Sequence, residues 1–310
     1  MAEEMYKKYR PTVLEQVRGQ DAAVAMVKNW VARNAVPHAI LLTGPSGVGK
    51  TTIARILKTL LNCSNIDYVE VNGADDTGID MVRGIRDKMM AAPFKGSCRI
   101  YMIDECHALT KNAQNCLLKA LEDTPKHVYF ILATTDPTKL LNTIQTRCTE
   151  VALKPLSTKH IEDILAYVCK KEKLKISEEV LDKIVKCCEG SARKALVYLD
   201  QVMGLEDEEE QLNAITPSSM AAAAFDLWKE FCAPKPQWAN VAAVLRELKD
   251  DPEGVRRLIL ACARASLLKP GSKYAARAYL VIDTFRDNLY DTGAAGLAAQ
   301  CYELCTGVGR

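Results

Sequence analysis

The sequence predicts an α/β domain built on a parallel sheet, followed by two all-helical units. Three observations carry this. From residue 38 to residue 155, apolar runs alternate with helical stretches, the pattern of a parallel sheet with helices on both faces. A glycine-rich loop, TGPSGVGKTT (43–52), joins the first apolar run to the first helix after it. After Pro155 the strand-like runs stop, and the rest of the chain has helical periodicity only.

Residues 1–36 form a lead-in. MYKKYRPTVLEQVRGQ is turn-like around Pro11, and DAAVAMVKNWVARN is an amphipathic helix. His38 to Leu42 is a buried strand, and TTIARILKTLL after the loop is a helix with one apolar face. YVEVNG (68–73) is a strand; a turn at Asp75–Ile79 leads into the helix GIDMVRGIRDKMMAA. RIYMIDE (99–105) is a strand ending in two carboxylates, and TKNAQNCLLKALED is a helix with Thr110 as N-cap. HVYFILATT (127–135) is a strand, PTKLLNTIQTRC a short helix running into Arg147, and TEVALKP the last strand. Ligands of parallel sheets sit outside the carboxyl ends of the strands, so Thr43, Asp104 and Thr135 are expected to converge.

Beyond Pro155 three helices are expected. Ser157 opens the first, Ser177 the second, and Gly190-Ser191 separates the second from the third. The acidic run LEDEEEQ (205–211) reads as a solvated linker, with an interaction tail as the alternative. Residues 216–310 read as all-helical, with breaks near Pro234–Pro236, Asp251-Pro252, Pro270-Gly271 and Gly293.

A chain of 310 residues holds two or three domains. Its net charge of +2 excludes nucleic-acid binding by bulk charge and leaves only local basic patches for it. The twelve cysteines contain no C-x-x-C pair, so a zinc site of the usual spacing is not expected, and a reduced, cytoplasmic setting is. The start, MAEEMYKKYRP, lacks the apolar region of a secretory signal, and no run of eighteen apolar residues occurs.

The loop carries G-x-x-x-x-G-K-[ST] in Gly44, Gly49, Lys50 and Thr51. Glycine lets the backbone wrap a polyphosphate, and the N–H groups of Pro45-Ser46-Gly47-Val48-Gly49 (proline excepted) and of the helix start at Lys50, Thr51 and Thr52 point at it. Lys50 places a charge at the β- and γ-phosphates, and Thr51 a hydroxyl at Mg²⁺. Asp104 would hold the Mg²⁺, and Glu105 beside it would polarise the attacking water. Thr135 would orient that water, or is an ordinary turn residue. Tyr9, Arg10, Pro11 and Val17 are candidates to line a base pocket, the alternative being a segment packed on the core. ATP and Mg²⁺ are therefore the expected ligands.

GPSGVGKTT, IDECH, LATTDPTKLLNTIQTRC and GSARKAL occur in an order and at spacings that resemble the sliding-clamp loader ATPases of the AAA+ class. The likeness to bacterial DNA polymerase III gamma/tau subunits and to small subunits of replication factor C runs from Lys8 to about Gln201, with KYRP, VNGADD and AAPFKGSCRIYMIDE adding to it. It implies an AAA+ ATPase domain at 1–155, a helical lid at 156–204, an acidic linker at 205–215 and a helical collar at 216–310. It implies that Arg147, in Thr146-Arg147-Cys148, is an arginine finger for the nucleotide of a neighbouring subunit; without the resemblance, a surface arginine in a helix-end salt bridge is the simpler reading. Arg193 would be a second sensor reaching phosphate from the lid, and Thr135 a first sensor. Arg83, Arg86, Lys111 and Asn112, near two helix starts, would contact DNA phosphates, the alternative being a solvated face balanced by Asp80 and Asp87.

The implied activity is ATP hydrolysis stimulated by DNA and clamp. The implied partners are primer–template DNA, a sliding clamp and other loader subunits in a pentameric assembly, in the replisome of a bacterium or a phage-infected cell. Two departures stand out. LLNCSNIDYVEV runs straight on where bacterial relatives carry a cysteine-rich zinc insertion, as phage and replication-factor-C-type subunits do. Thr77 stands where many relatives have a basic residue that holds the catalytic glutamate inactive. The rival readings are a branch-migration helicase or helicase loader, and a structural loader subunit without hydrolysis.

Overall fold

Five short strands build one parallel sheet: β1 (Ala39–Thr43), β2 (Tyr68–Asn72), β3 (Arg99–Asp104), β4 (Val128–Thr134) and β5 (Thr149–Ala152), in the order β2-β3-β4-β1-β5. The computed structural model describes residues 4–215, 219–248, 252–289 and 292–307. It divides into two units, Met1–Ile215 and Thr216–Arg310.

The inner strands are covered on both faces, which is why they are near-continuous apolar runs. Alternate residues go to opposite layers. Ile40 and Leu42 of β1, Ile100 and Met102 of β3 and Ile131 of β4 pack with α2 (Asp21–Ala32) and α3 (Lys50–Leu60) through Val27, Ile53 and Leu57. Leu41, Tyr101, Ile103, Phe130 and Leu132 pack on the other side against Val82 and Ile85 of α4 (Ile79–Met89) and Leu117 of α5 (Lys111–Glu122). The register Thr43↔Thr134, with Ile103↔Leu132 and Asn72↔Asp104, aligns the carboxyl ends at one edge of the sheet.

The expected helix over PTKLLNTIQTRC is broken. A 3-10 turn at Pro137–Lys139 is followed by the short α6 (Asn142–Gln145). Leu140 between them is extended and buried, and Gln114 of α5 accepts from the Leu141 N–H at 2.9 Å, which fixes the break.

Three helices come next: α7 (Thr158–Glu172), α8 (Glu178–Cys187) and α9 (Ala192–Val202). Ser157, Ser177 and Ser191 cap them, accepting from the backbone N–H groups of His160, Val180 and Lys194. Ile161, Leu165, Val168, Val180, Ile184 and Leu199 form their core. Two segments expected elsewhere join it. The lead-in begins with α1 (Met5–Lys8), whose Met5 is buried in this core. The acidic run expected as a solvated linker is instead helical in α10 (Glu208–Ala214), with Ile215 buried in the same core. Asp207 caps α10 through the Glu210 N–H, and glutamates in its first turn suit the positive end of the helix dipole, so acidity here marks a helix start.

The second unit comprises α11 (Ser219–Phe231), α12 (Trp238–Glu247), α13 (Pro252–Leu267), α14 (Ala275–Thr284) and α15 (Gly293–Thr306). Leu227, Phe231, Val255, Ile259, Val281 and Phe285 centre its core. The breaks at Pro234–Pro236, Pro270-Gly271 and Gly293 fall between helices as expected; Asp251 and the expected boundary at 216 lie outside the described residues. Arg256 and Glu253 form a buried pair at 2.7 Å. Among the described residues no helix is long and apolar enough to cross a membrane.

Candidate nucleotide site and nucleic-acid interface

The loop after β1 passes so close to its surroundings that side chains have no room. A Cβ at Gly44 (φ 139°) would stand 2.3 Å from the Leu153 carbonyl oxygen, and one at Gly47 (φ 77°) 2.0 Å from Ser191 Oγ. Lys50 opens α3 and is almost fully buried, its Nζ donating to the carbonyls of Gly44 at 2.7 Å and Pro45 at 2.9 Å. Burial draws its pKa below the ordinary value, against the opposing charges of Glu105 and Asp104.

The strand ends converge as expected. Thr51 Oγ1 donates to Asp104 Oδ2 at 3.0 Å, and Thr135 Oγ1 donates to Glu105 Oε2 at 3.1 Å. Thr43 is buried at the end of β1, its hydroxyl donating to Glu150 at 2.8 Å. A hydroxyl and a carboxylate suit Mg²⁺, a hard cation that takes few protein ligands and completes its shell with phosphate and water. Among the described residues no group of three or more His, Cys, Asp or Glu gathers as a metal cage, which matches a metal held jointly with phosphates.

A cavity of about 510 Å³ opens over the loop. Ser46 to Thr52, Asp104 and Glu105 line one side; Tyr9, Arg10, Pro11 and Val17 line another; Arg193 of α9 closes a third. Gly44 and Pro45 lie behind this lining, facing Lys50 with their carbonyls. Burial, then the like charges of Arg55 and Arg193, draw the Arg10 pKa below its ordinary value. The Arg193 backbone N–H donates to the Gly47 carbonyl at 3.5 Å, so α9 stands directly on the loop.

Sequence reasoning missed several lining residues: Tyr6, Leu156, Ile164, Tyr167 and Leu196. They belong to α1 and the α7–α9 bundle, where they read as core positions. The link is Glu172, which accepts from the Tyr9 hydroxyl and pairs with Lys8 at 2.6 Å, tying the lead-in to α7. His107 and Thr134 were also missed. His107 Nδ1 lies 3.3 Å from Glu105 Oε2 and 3.0 Å from Thr134 Oγ1.

Arg147 is not in this cavity's lining. It lies just after α6 and pairs with Glu122 of α5 at 2.5 Å, with a second bond to the Thr143 carbonyl at 3.1 Å.

Arg83 is exposed on α4 and pairs with Asp80 at 3.0 Å; Arg86 lies 4.0 Å from Asp87. Lys111 and Asn112 are the exposed first residues of α5, behind the Thr110 cap, which accepts from the Ala113 N–H at 3.2 Å. The Thr110 N–H donates to the Thr77 carbonyl at 3.1 Å, so the starts of α4 and α5 lie side by side. Two helix N-termini with exposed basic groups form a surface suited to backbone phosphates.

Comparison with known proteins gives three family models. "DNA polymerase III, delta subunit" matches residues 65–157, "RCF1/5-like, AAA+ ATPase lid domain" matches 163–202, and "Magnesium chelatase, subunit ChlI" matches 13–100. Among curated proteins, DNA polymerase III subunit gamma of Buchnera aphidicola is 34% identical over 231 residues, 68% of this chain and 64% of that protein. DNA polymerase III subunit tau of Escherichia coli is 33% identical over 231 residues, 68% of this chain and 36% of that protein. The chain thus spans less than two thirds of the length of these relatives. Among solved structures, the Thermotoga maritima RuvB Holliday junction branch migration motor superposes with TM-score 0.59 at 20% identity, covering 77% of this chain and 85% of that one, which shows a shared fold. The sequence relatives and the lid model agree with the motifs, and the chain belongs to the clamp-loader group of AAA+ ATPases, beside the gamma and tau subunits of DNA polymerase III.

Proposed function

We propose that this chain is an ATP-hydrolysing subunit of a sliding-clamp loader. One observation carries the reading: Lys50, the Thr51–Asp104 pair, Glu105 and the Arg193 of α9 border a single cavity. The loop backbone and Lys50 would hold the β- and γ-phosphates of ATP, and Tyr9, Arg10, Pro11 and Val17 the base side. Thr51 and Asp104 would hold Mg²⁺, which neutralises phosphate charge. Glu105 would polarise the attacking water and Thr135 orient it. Arg147 would act on the nucleotide of an adjacent subunit, adding charge stabilisation where the transferred phosphoryl group becomes most negative. Its place outside its own chain's cavity supports that reading, and makes turnover depend on assembly.

In this scheme 1–155 is the ATPase domain, 156–215 the lid including α10, and 216–310 a collar. ATP draws the subunits into a spiral that opens a ring-shaped clamp in the cytoplasmic replisome. Primer–template DNA, gripped by Arg83, Arg86, Lys111 and Asn112, triggers hydrolysis and release.

The test is the mass of the purified assembly with ATP analogue, clamp and primed DNA, together with its ATP turnover. A multi-subunit particle holding clamp and DNA, with DNA-stimulated turnover, is the expected result. Unwinding of duplex DNA without clamp binding would assign it to another class of motor.

A further inference from the structure

The turn after β3 fixes one residue and leaves its side chain to be steered. Glu105 has left-handed backbone geometry, φ 45° and ψ 41°, which a residue with a Cβ adopts only under constraint. Its N–H donates to Asp104 Oδ1 at 2.9 Å, and its carbonyl accepts from the Ala108 N–H at 2.9 Å. Gly73 leans against this turn: a Cβ there would stand 3.0 Å from the Glu105 carbonyl oxygen and 3.1 Å from that of Asp104. The backbone of Glu105 is thereby locked, and only its carboxylate is left to reorient.

That carboxylate is engaged at the end of β4. Thr135 Oγ1 donates to Oε2 at 3.1 Å, and His107 Nδ1 stands 3.3 Å from the same oxygen. The imidazole is itself anchored, its Nδ1 lying 3.0 Å from Oγ1 of the fully buried Thr134, which also accepts from the Asp136 N–H at 3.0 Å. A carboxylate oxygen already serving two polar partners is a weaker base and is not free to take up water. Thr77, by contrast, meets its neighbour Thr110 through its carbonyl.

The geometry points to His107 as a positioning residue that restrains Glu105 and suppresses ATP turnover until DNA arrives. This rests on the reading of Glu105 as the water-polarising group and of the α5 start as a DNA contact. His107 sits on the 3-10 turn Cys106–Ala108, directly ahead of Thr110 and Lys111. A phosphate drawn to the start of α5 acts on the segment that carries the imidazole. The restraint is thus built into the strand-end turn itself, in a chain whose position 77 is a threonine.

The test is steady-state ATP turnover by the full chain, with and without primer–template DNA, for His107→Ala, His107→Leu and His107→Asn. His107→Ala is expected to raise DNA-independent kcat about threefold to tenfold, the effect of releasing one contact to a charged group, with KM for ATP within about twofold and a smaller stimulation by DNA. His107→Leu keeps the bulk and gives the same result if the turn needs filling. His107→Asn, whose amide N–H replaces Nδ1–H, restores the parent behaviour. An unchanged or lowered basal kcat in both His107→Ala and His107→Leu overturns the proposal. Glu105→Gln separates the two readings: if it turns over ATP like the parent, the role of Glu105 fails, and if it is inactive while the His107 variants match the parent, only the role of His107 fails.

Discussion

Thr51 Oγ1 and Asp104 Oδ2 are joined by a 3.0 Å hydrogen bond across 53 residues of sequence, linking the first turn of α3 to the end of β3. The two groups the motifs assign to one metal therefore meet at one point. Removing either should weaken Mg²⁺-dependent ATP binding by about tenfold to a hundredfold, the range of a hydrogen bond to a charged group. Thr51→Ala and Asp104→Ala should be non-additive, with about 0.5–3 kcal/mol of coupling, because each already removes the shared contact. Calorimetric titration of the two singles and the double with Mg-ATP measures this; strict additivity speaks against a shared ion.

Arg147 rests on Glu122 at 2.5 Å, and both side chains are substantially exposed. Such a pair contributes about 0–1 kcal/mol, so Glu122→Gln should leave the melting temperature nearly unchanged. Arg147→Lys should leave ATP binding intact and lower DNA-stimulated turnover of the assembly about a thousandfold or more, because lysine lacks the planar fork of a finger. Retained turnover in the assembly removes the finger role.

Arg83→Ala and Lys111→Ala should weaken DNA binding alike on every sequence. Each should reduce the slope of log affinity against log salt by about one unit. Titrations at several salt concentrations decide this, and an unchanged slope assigns Arg83 to its pairing with Asp80 alone.

In the second unit, Glu253 accepts from Arg256 at 2.7 Å and from the Leu289 N–H at 2.9 Å. The Arg256 hydrogen bond, more than any other group, holds its pKa down to about 2 from an ordinary 4.5. A depressed acid pKa adds stability above the unfolded value, and that stability is lost as the pH falls through the folded one. Hydrogen exchange in α13 should therefore accelerate between about pH 4.5 and pH 2, and Glu253→Gln should flatten this dependence while lowering stability at neutral pH.

Much of the first unit is legible in the chain itself. The inner strands declare themselves because burial on both faces forces uninterrupted runs such as Ile100–Ile103, and the strand ends then place Asp104 and Thr135 together. Tyr9, Arg10, Pro11 and Val17 line the cavity as expected. Less legible are features decided by tertiary packing. Nothing local in MYKK shows that Met5 enters the α7–α9 core, and the acidity of 205–211 suggests solvent, although the Asp207 cap is in plain view. His107 escapes notice because its role depends on Thr134, which lies 27 positions away and is joined to it only when β4 is laid beside β3.

Gly47 has a consequence for communication within the first unit. With Ser191 Oγ occupying the place its side chain would fill and Arg193 bonded to its carbonyl, the loop tip serves as the footing of α9. Any settling of that footing around a triphosphate must tip the whole bundle, Glu172 and the tethered lead-in included, so bound fuel becomes tilt, a quantity another subunit is able to feel.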